Sequence, residues 1–252
     1  MDLGLDGRVY IVTGGSGGLG RATADALVAD GARVVISGRT QETVDAAVQE
    51  LGTGAATGVV ADNADPGSPR LLVDAATTAY GRLDGALLSV GGPPAGPVLD
   101  TADEDWQRAV ESVFLGGLRL GRDIGRELGE GGSIAYVLSS SVKAPIPGLA
   151  ISNGLRPGLA MIAKTLADEL GPRGVRVNGL LPGRVDTDRV RWLDEQTGDA
   201  AAARERSSQA IPMRRYGRPE EFGKAAAFLL SPAAGFVSGV MLPVDGGMLR
   251  SL

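Results

Sequence analysis

The sequence predicts an α/β fold: a single domain on a doubly wound parallel sheet of about seven strands, with helices on both faces. Three observations carry this. Short apolar, β-branched runs alternate with Ala- and Leu-rich stretches of helical period along the 252 residues, the pattern of repeated strand–helix–strand units. The runs are apolar throughout rather than at every second residue, as in strands covered on both faces. A glycine cluster at 13–20 separates the first run from the first helical stretch, where such a sheet places a phosphate-binding turn.

The elements follow in order. VYIVT at 9–13 is rich in β-branched and aromatic residues and reads as the first strand. After the glycines, RATADALVAD carries a helix over 21–30, and RVVIS at 33–37 is the second strand. A helix at 42–51 leads to a strand at 57–60, a helix at 69–80 with Pro69 in its first turn, and a strand at 86–89. A long helical stretch covers 103–128, followed by strands at 133–138 and 175–181. Pro157 disfavours helical geometry at Arg156, so the helix between those two strands is expected to begin near Pro157. The last strand is expected at 240–244. The segment at about 187–215 departs from the alternation. It is polar, charged and Ala-rich, and reads either as a lid and substrate-binding insertion or as a solvated helical insertion. No linker or repeat divides the chain, so residues 1–252 are taken as one dinucleotide-binding domain.

Composition removes several kinds of chemistry. The chain has no cysteine and no histidine, which excludes disulfides, thiol nucleophiles, Ser-His-Asp catalysis and Cys/His metal sites; no metal site is expected. The net charge of −5 argues against a nucleic-acid partner. No apolar run reaches bilayer length, and MDLGLDGRVYIVTGG has no secretory pattern, so no membrane association and a cytoplasmic location are expected.

The stretch VYIVTGGSGGLGRATADALVADGARVVISGRT reads strand, glycine turn, helix, strand. In that context Gly14, Gly18 and Gly20 let the backbone turn tightly and approach a pyrophosphate over the positive end of the next helix. This is a Rossmann-type dinucleotide site, with glycine spacing GxxxGxG. The second strand ends Ile36-Ser37-Gly38-Arg39. An NAD site usually places a carboxylate there for the ribose 2′-hydroxyl, whereas an arginine suits a 2′-phosphate. NADP(H) is therefore expected over NAD(H).

By these residues the chain resembles the short-chain dehydrogenase/reductase family. The matching motifs are TGGSGGLG at 13–20, Asp62-Asn63, LDGALLSVGG at 83–92, GGSIAYVLSSS at 131–141, RVNGLLPG at 176–183, GRPEEF at 217–222 and SGVMLPVDGG at 238–247. The last three are similar to the 3-oxoacyl-carrier-protein reductase branch. The resemblance implies a cofactor set of Gly14, Ser16, Gly18, Leu19, Gly20, Arg39, Asp62, Asn63, Ser89, Gly91, Pro182, Gly183, Val185 and Thr187. Asp62 would meet the adenine edge, Ser89 and Gly91 the ribose side, and Val185 and Thr187 the nicotinamide carboxamide.

The family's catalytic Ser, Tyr and Lys fall on Ser139, Ser152 and Arg156, and its upstream Asn on Val113. A serine hydroxyl is a weaker acid than a phenol, and arginine does not relay protons. Arg156 is expected to stabilise a developing alkoxide electrostatically, with Ser139 and Ser152 donating hydrogen bonds to it. Asp186 and Asp188 read either as candidate proton sources or as solvated loop charges, and the prolines of the loops at 91–97 and 143–148 either stiffen the mouth of the site or simply end strands.

The leading expectation is an NADP(H)-dependent oxidoreductase acting on a carbonyl or alcohol substrate, such as a 3-oxoacyl group or related ketone, through an atypical proton-donor site. Arg184, Arg189, Arg191, Arg214 and Arg215 point to an anionic small-molecule substrate or to helix-surface charge. Two alternatives stay open: a non-redox lyase or isomerase on the same fold, and an inactive nucleotide-binding sensor or partner subunit. The resemblance also implies a homo-oligomer, a tetramer or dimer.

Overall fold

The computed structural model describes residues 2–251. Seven strands form one parallel sheet: β1 (Val9–Val12), β2 (Arg33–Gly38), β3 (Ala56–Val60), β4 (Gly85–Ser89), β5 (Ser133–Val137), β6 (Arg176–Pro182) and β7 (Met241–Val244). Their spatial order is β3-β2-β1-β4-β5-β6-β7, with Ile11 opposite Val35 on one side and Ala86 on the other. The order reverses between β1 and β4, and the crevice at their carboxyl ends is where such sheets bind ligands.

Helices cover both faces, which explains the unbroken apolar runs. One layer packs α3 (Ser68–Tyr80), α5 (Gly116–Glu127) and α6 (Ala150–Leu170) on the sheet through Leu72, Leu120, Ile124, Leu159 and Leu170. The other packs α1 (Gly18–Ala29), α2 (Gln41–Leu51) and α9 (Pro219–Leu230) through Leu27, Ala47, Phe222 and Leu229. Each large apolar side chain buried this way contributes about 1.5–3 kcal/mol. α1 and α9 approach closely because Gly223 has no Cβ to meet the Ala22 carbonyl.

Two helix expectations are corrected. The stretch expected as one helix over 103–128 is α4 (Asp103–Ala109), a wider π-type turn at Val110–Leu115, and α5, running on without a break. The helix expected to begin near Pro157 begins seven residues earlier: α6 runs from Ala150 through Pro157. An interior proline costs about 3 kcal/mol. Here that cost is offset by burial of Ala150 and Ile151 and by hydrogen bonds from the Arg156 guanidinium to the Val137 carbonyl, at 2.6 Å, and to the Gly91 carbonyl.

The insertion at 187–215 consists of α7 (Asp188–Glu195) and α8 (Ala200–Ala210). The Thr187 hydroxyl accepts from Val190 N and the Asp199 carboxylate from Ala202 N, capping the two helices. Buried Asp194 fastens the insertion to the sheet end by accepting from Arg184 at 3.0 Å and from the Tyr216 hydroxyl at 3.0 Å. Among the described residues no helix is long and apolar enough to cross a membrane.

Candidate active site

At the reversal point lies a cleft of about 430 Å³. Its floor is the glycine turn, where Gly14 (φ 62°) and Gly18 (φ 54°) take left-handed conformations that side chains rarely tolerate. Gly17 precedes α1 and supplies no side-chain cap, and Arg21 N is the first amide to bond back, to the Gly17 carbonyl. The amides of Gly18, Leu19 and Gly20 therefore lack helical acceptors, and a Cβ at Gly17 would meet nothing within 4 Å. An open turn with free amides at a helix N-terminus fits a pyrophosphate.

Gly14, Ser16, Arg39, Asp62, Asn63, Ser89 and Gly91 all line this cleft. Thr13 and Asn63 set the far wall: the Thr13 hydroxyl donates to the Ser89 carbonyl at 3.0 Å and accepts from Ser89 N at 2.7 Å, while Asn63 Nδ2 donates to the same carbonyl at 3.1 Å. Arg39 is exposed at the end of β2 beside Ser16 and Ser37, and has no ion pair or hydrogen bond among the described residues. No carboxylate stands at that strand end.

The remaining binding residues lie apart. Pro182 and Gly183 close β6 against β7, where Gly183 N donates to the Val244 carbonyl at 3.0 Å. Val185 is buried and faces a second cleft of about 320 Å³ lined by Arg184, Arg215 and Phe222. Thr187 alone reaches back to the glycine turn, its methyl 3.8 Å from the position of a Cβ on Gly18.

Ser139 follows β5, and Ser152 and Arg156 lie one turn apart at the start of α6; none of the three lines the cleft, and Ser141 is the residue that touches both serines. The Ser139 hydroxyl accepts from Ser141 N at 3.1 Å, and the hydroxyls of Ser141 and Ser152 lie 3.2 Å apart. Ser141, adjoining the expected set, is a member that the motif spacing did not single out. Val113 is buried in the π-type turn, on the cleft wall. The mouth loops are joined as well as proline-bearing, since Gly96 N donates to the Gly148 carbonyl at 2.7 Å and Ala150 N to the Gly96 carbonyl at 3.1 Å.

Arg156 differs from the expectation. It does not stand at a helix N-terminus; it is 95% buried within α6. Its Nη1 and Nη2 are committed to the Val137 and Gly91 carbonyls, and its Nε has no partner. Among the described residues no carboxylate pairs with it, and burial pushes its pKa down to about 10. The cation thus holds the Gly91 wall of the cleft and remains an uncompensated buried charge.

Other acids are excluded by position. Tyr10 is pushed up to about 12 by burial, Tyr136 is raised by burial, and Tyr216 is raised by burial while its hydroxyl is bound to Asp194. No tyrosine or lysine lines the cleft. Asp186 and Asp188 are corrected as proton sources. Asp186 accepts from Arg204 at 2.9 Å and Arg191 at 2.8 Å, and these bonds hold it below the usual carboxylate range. Asp188 is exposed and accepts from the same Arg191 at 2.7 Å.

Fold and cleft together are those of a Rossmann-type protein, with the cleft at the carboxyl ends of β1 and β4. Comparison with known proteins supplies the family. The family model described as Enoyl-(Acyl carrier protein) reductase matches residues 14–249. The chain is 34% identical over 246 residues to an uncharacterized oxidoreductase of Mycobacterium tuberculosis, covering 95% of this chain and 90% of that one. It is 32% identical over 250 residues to dehydrogenase/reductase SDR family member 4 of Homo sapiens, covering 96% and 88%. The L-sorbose reductase from Gluconobacter frateurii, solved with NADPH and L-sorbose, superposes with a TM-score of 0.93 at 28% identity over the whole of both chains. The chain belongs to the short-chain dehydrogenase/reductase family and is an oxidoreductase of that family.

Proposed function

We propose that the protein is an NADP(H)-dependent reductase or dehydrogenase of a carbonyl/alcohol pair. The observation that carries this reading is Arg39: an unpaired cation beside Ser16 and Ser37 at the ribose end of the cleft, with no carboxylate in its place. Such a site selects a 2′-phosphate over a 2′-hydroxyl. The NADPH-bound sorbose reductase supports the same cofactor.

When bound, the dinucleotide supplies or accepts the hydride. Gly14, Ser16, Gly18, Leu19 and Gly20 would hold its pyrophosphate, Asp62 and Asn63 its adenosine side, Ser89 and Gly91 its ribose, and Thr187 its far end, with Pro182, Gly183 and Val185 carrying the chain from β6 to Thr187. The Ser141 and Ser152 hydroxyls share one hydrogen bond in which either can donate; when Ser141 is the donor, Ser152 has its proton free for a substrate oxygen. Ser139, accepting from Ser141 N, keeps its own as well. These hydroxyls polarise the carbonyl while the Arg156 charge stabilises the oxygen from behind. Neither hydroxyl is acidic enough to surrender its proton as a phenol does, so the site suits activated ketones or substrates that bring their own proton. The insertion at 187–215 serves as the lid. The same reading includes a homo-oligomer, supported by exposed Met161 and Phe236, and a cytoplasmic location.

Ketone-dependent oxidation of NADPH, with one alcohol formed per NADPH consumed, tests this. The absence of any phenol or amine on the cleft favours a second reading, a nucleotide-binding sensor. Tight NADPH binding with no turnover across a broad ketone and alcohol panel supports that reading and overturns the first. Turnover without net NADPH consumption identifies a lyase or isomerase instead.

A further inference from the structure

Of the five arginines that the sequence places around the lid, four are engaged away from the cleft. Arg184 pairs with Asp194 at 3.0 Å, Arg191 with Asp186 and Asp188 at 2.8 and 2.7 Å, and Arg215 with Glu221 at 2.7 Å. Arg214 donates to the Gln209 carbonyl. Arg189 points the other way. From the first turn of α7 its Nη2 donates to the Pro93 carbonyl at 2.7 Å, and its guanidinium lies 4.6 Å from the centre of the Trp192 ring. Its Nε and Nη1 donate to nothing among the described residues, and no carboxylate comes within ion-pair distance.

The loop opposite makes room for this side chain. Gly92 lines the dinucleotide cleft and does not occupy the left-handed region that favours glycine. A Cβ there would stand 3.0 Å from Arg189 Nε, so a side chain at 92 would press on the guanidinium and shift it by a few tenths of an ångström. Two residues of backbone therefore carry a cation on each flank, Arg156 on the Gly91 carbonyl and Arg189 on the Pro93 carbonyl. Burial lowers the pKa of both, with no acidic group acting on either. Cations withdrawn from water are ordinarily paired with an anion. Among the described residues the chain supplies none to either, and the loop that both cations hold lines the cleft through Gly91, Gly92 and Pro93.

We propose that Arg189 is the specificity-determining residue of the lid and binds a carboxylate on the substrate, so that the carbonyl substrate is an oxo acid, and the corresponding alcohol a hydroxy acid. This rests on the oxidoreductase reading and narrows it to a substrate class. Arg189 acts as an anion receptor in which Trp192 orients the guanidinium plane, and the Pro93 bond sets its distance from the loop.

The test is calorimetric titration of the protein–NADPH complex with 2-, 3- and 4-oxo acids (pyruvate, acetoacetate, levulinate), each against its methyl ester. At least one acid is expected to bind tenfold or more tightly than its ester. The preference is expected to collapse in Arg189→Gln and also in Gly92→Ala, where the arginine is intact but displaced, and to persist in part in Arg189→Lys. Equal binding of acids and esters, or a preference that survives Arg189→Gln, overturns the proposal and leaves the Pro93 contact as a simple latch. The two readings fail differently. Reduction of esters as readily as acids retains the oxidoreductase and removes the anion site. Acid preference without NADPH oxidation by any acid retains the anion site and removes the redox chemistry.

Discussion

Replacing Arg156 by methionine separates its two structural effects. The guanidinium makes charge-assisted bonds to the Val137 and Gly91 carbonyls, each worth about 1.5–3 kcal/mol. Against this, burial lowers its pKa from 12.5 to about 10, a desolvation cost of about 3 kcal/mol. The variant loses the first, about 3–6 kcal/mol for the two bonds, and recovers the second, so the net loss is expected between about 0 and 3 kcal/mol, or a fall in Tm of up to about 12 °C for a chain this long. NADPH affinity should fall several-fold because the Gly91 wall is released. The pH dependence has a defined sign. The folded-state pKa lies below the unfolded one, so the desolvation cost is present in full below about pH 10 and relieved between 10 and 12.5. The wild type should therefore gain stability relative to the variant across that window. Thermal melts of both proteins from pH 7 to 11, with NADPH titrations at pH 7, measure all three effects. Failure of the variant to fold refutes the offsetting cost, and an unchanged Tm with unchanged NADPH affinity refutes the role of Arg156 in holding the loop.

Three further outcomes follow. Ser152→Tyr combined with Arg156→Lys restores a phenol and an amine at the substrate end and should raise kcat on simple ketones tenfold or more; an unchanged rate means that proton donation does not limit the native site. Glu221, held at about 2 by Arg215 and by Arg218 N at the start of α9, contributes stability above the ordinary carboxylate range and loses it as pH falls toward 2. Glu221→Gln should therefore narrow the gap between melts at pH 6 and pH 3, and an identical gap contradicts the assignment. Thr13→Val removes both bonds to Ser89 and should weaken NADPH about tenfold while leaving the sheet intact by circular dichroism; unaltered affinity contradicts the wall function given to that pair.

The strands were legible because both sheet faces are covered, which leaves apolar runs such as VYIV and RVVISG with little ambiguity. The glycine turn was legible because free amides at a helix N-terminus need glycine in a fixed place. The π-type turn at Val110–Leu115 was not, since it is a change of hydrogen-bond partner within a pattern that stays helical in composition. Pro157 misled for a related reason: its local preference is real, but the tertiary bonds of Arg156 lie in residues 19 and 65 positions away. Motif spacing reached Ser139, Ser152 and Arg156 without indicating that Ser141 joins two of them or that the guanidinium faces carbonyls. The lid arginines looked alike in sequence, and only the pairing of four of them sets Arg189 apart.

The central claim is a dinucleotide cleft that selects a 2′-phosphate through Arg39, and titration of the protein with NADPH and with NADH tests it most directly. Micromolar NADPH binding at least tenfold tighter than NADH, with the preference lost in Arg39→Ala, is the predicted result. Equal affinities, a preference that survives Arg39→Ala, or no binding of either nucleotide contradicts the account.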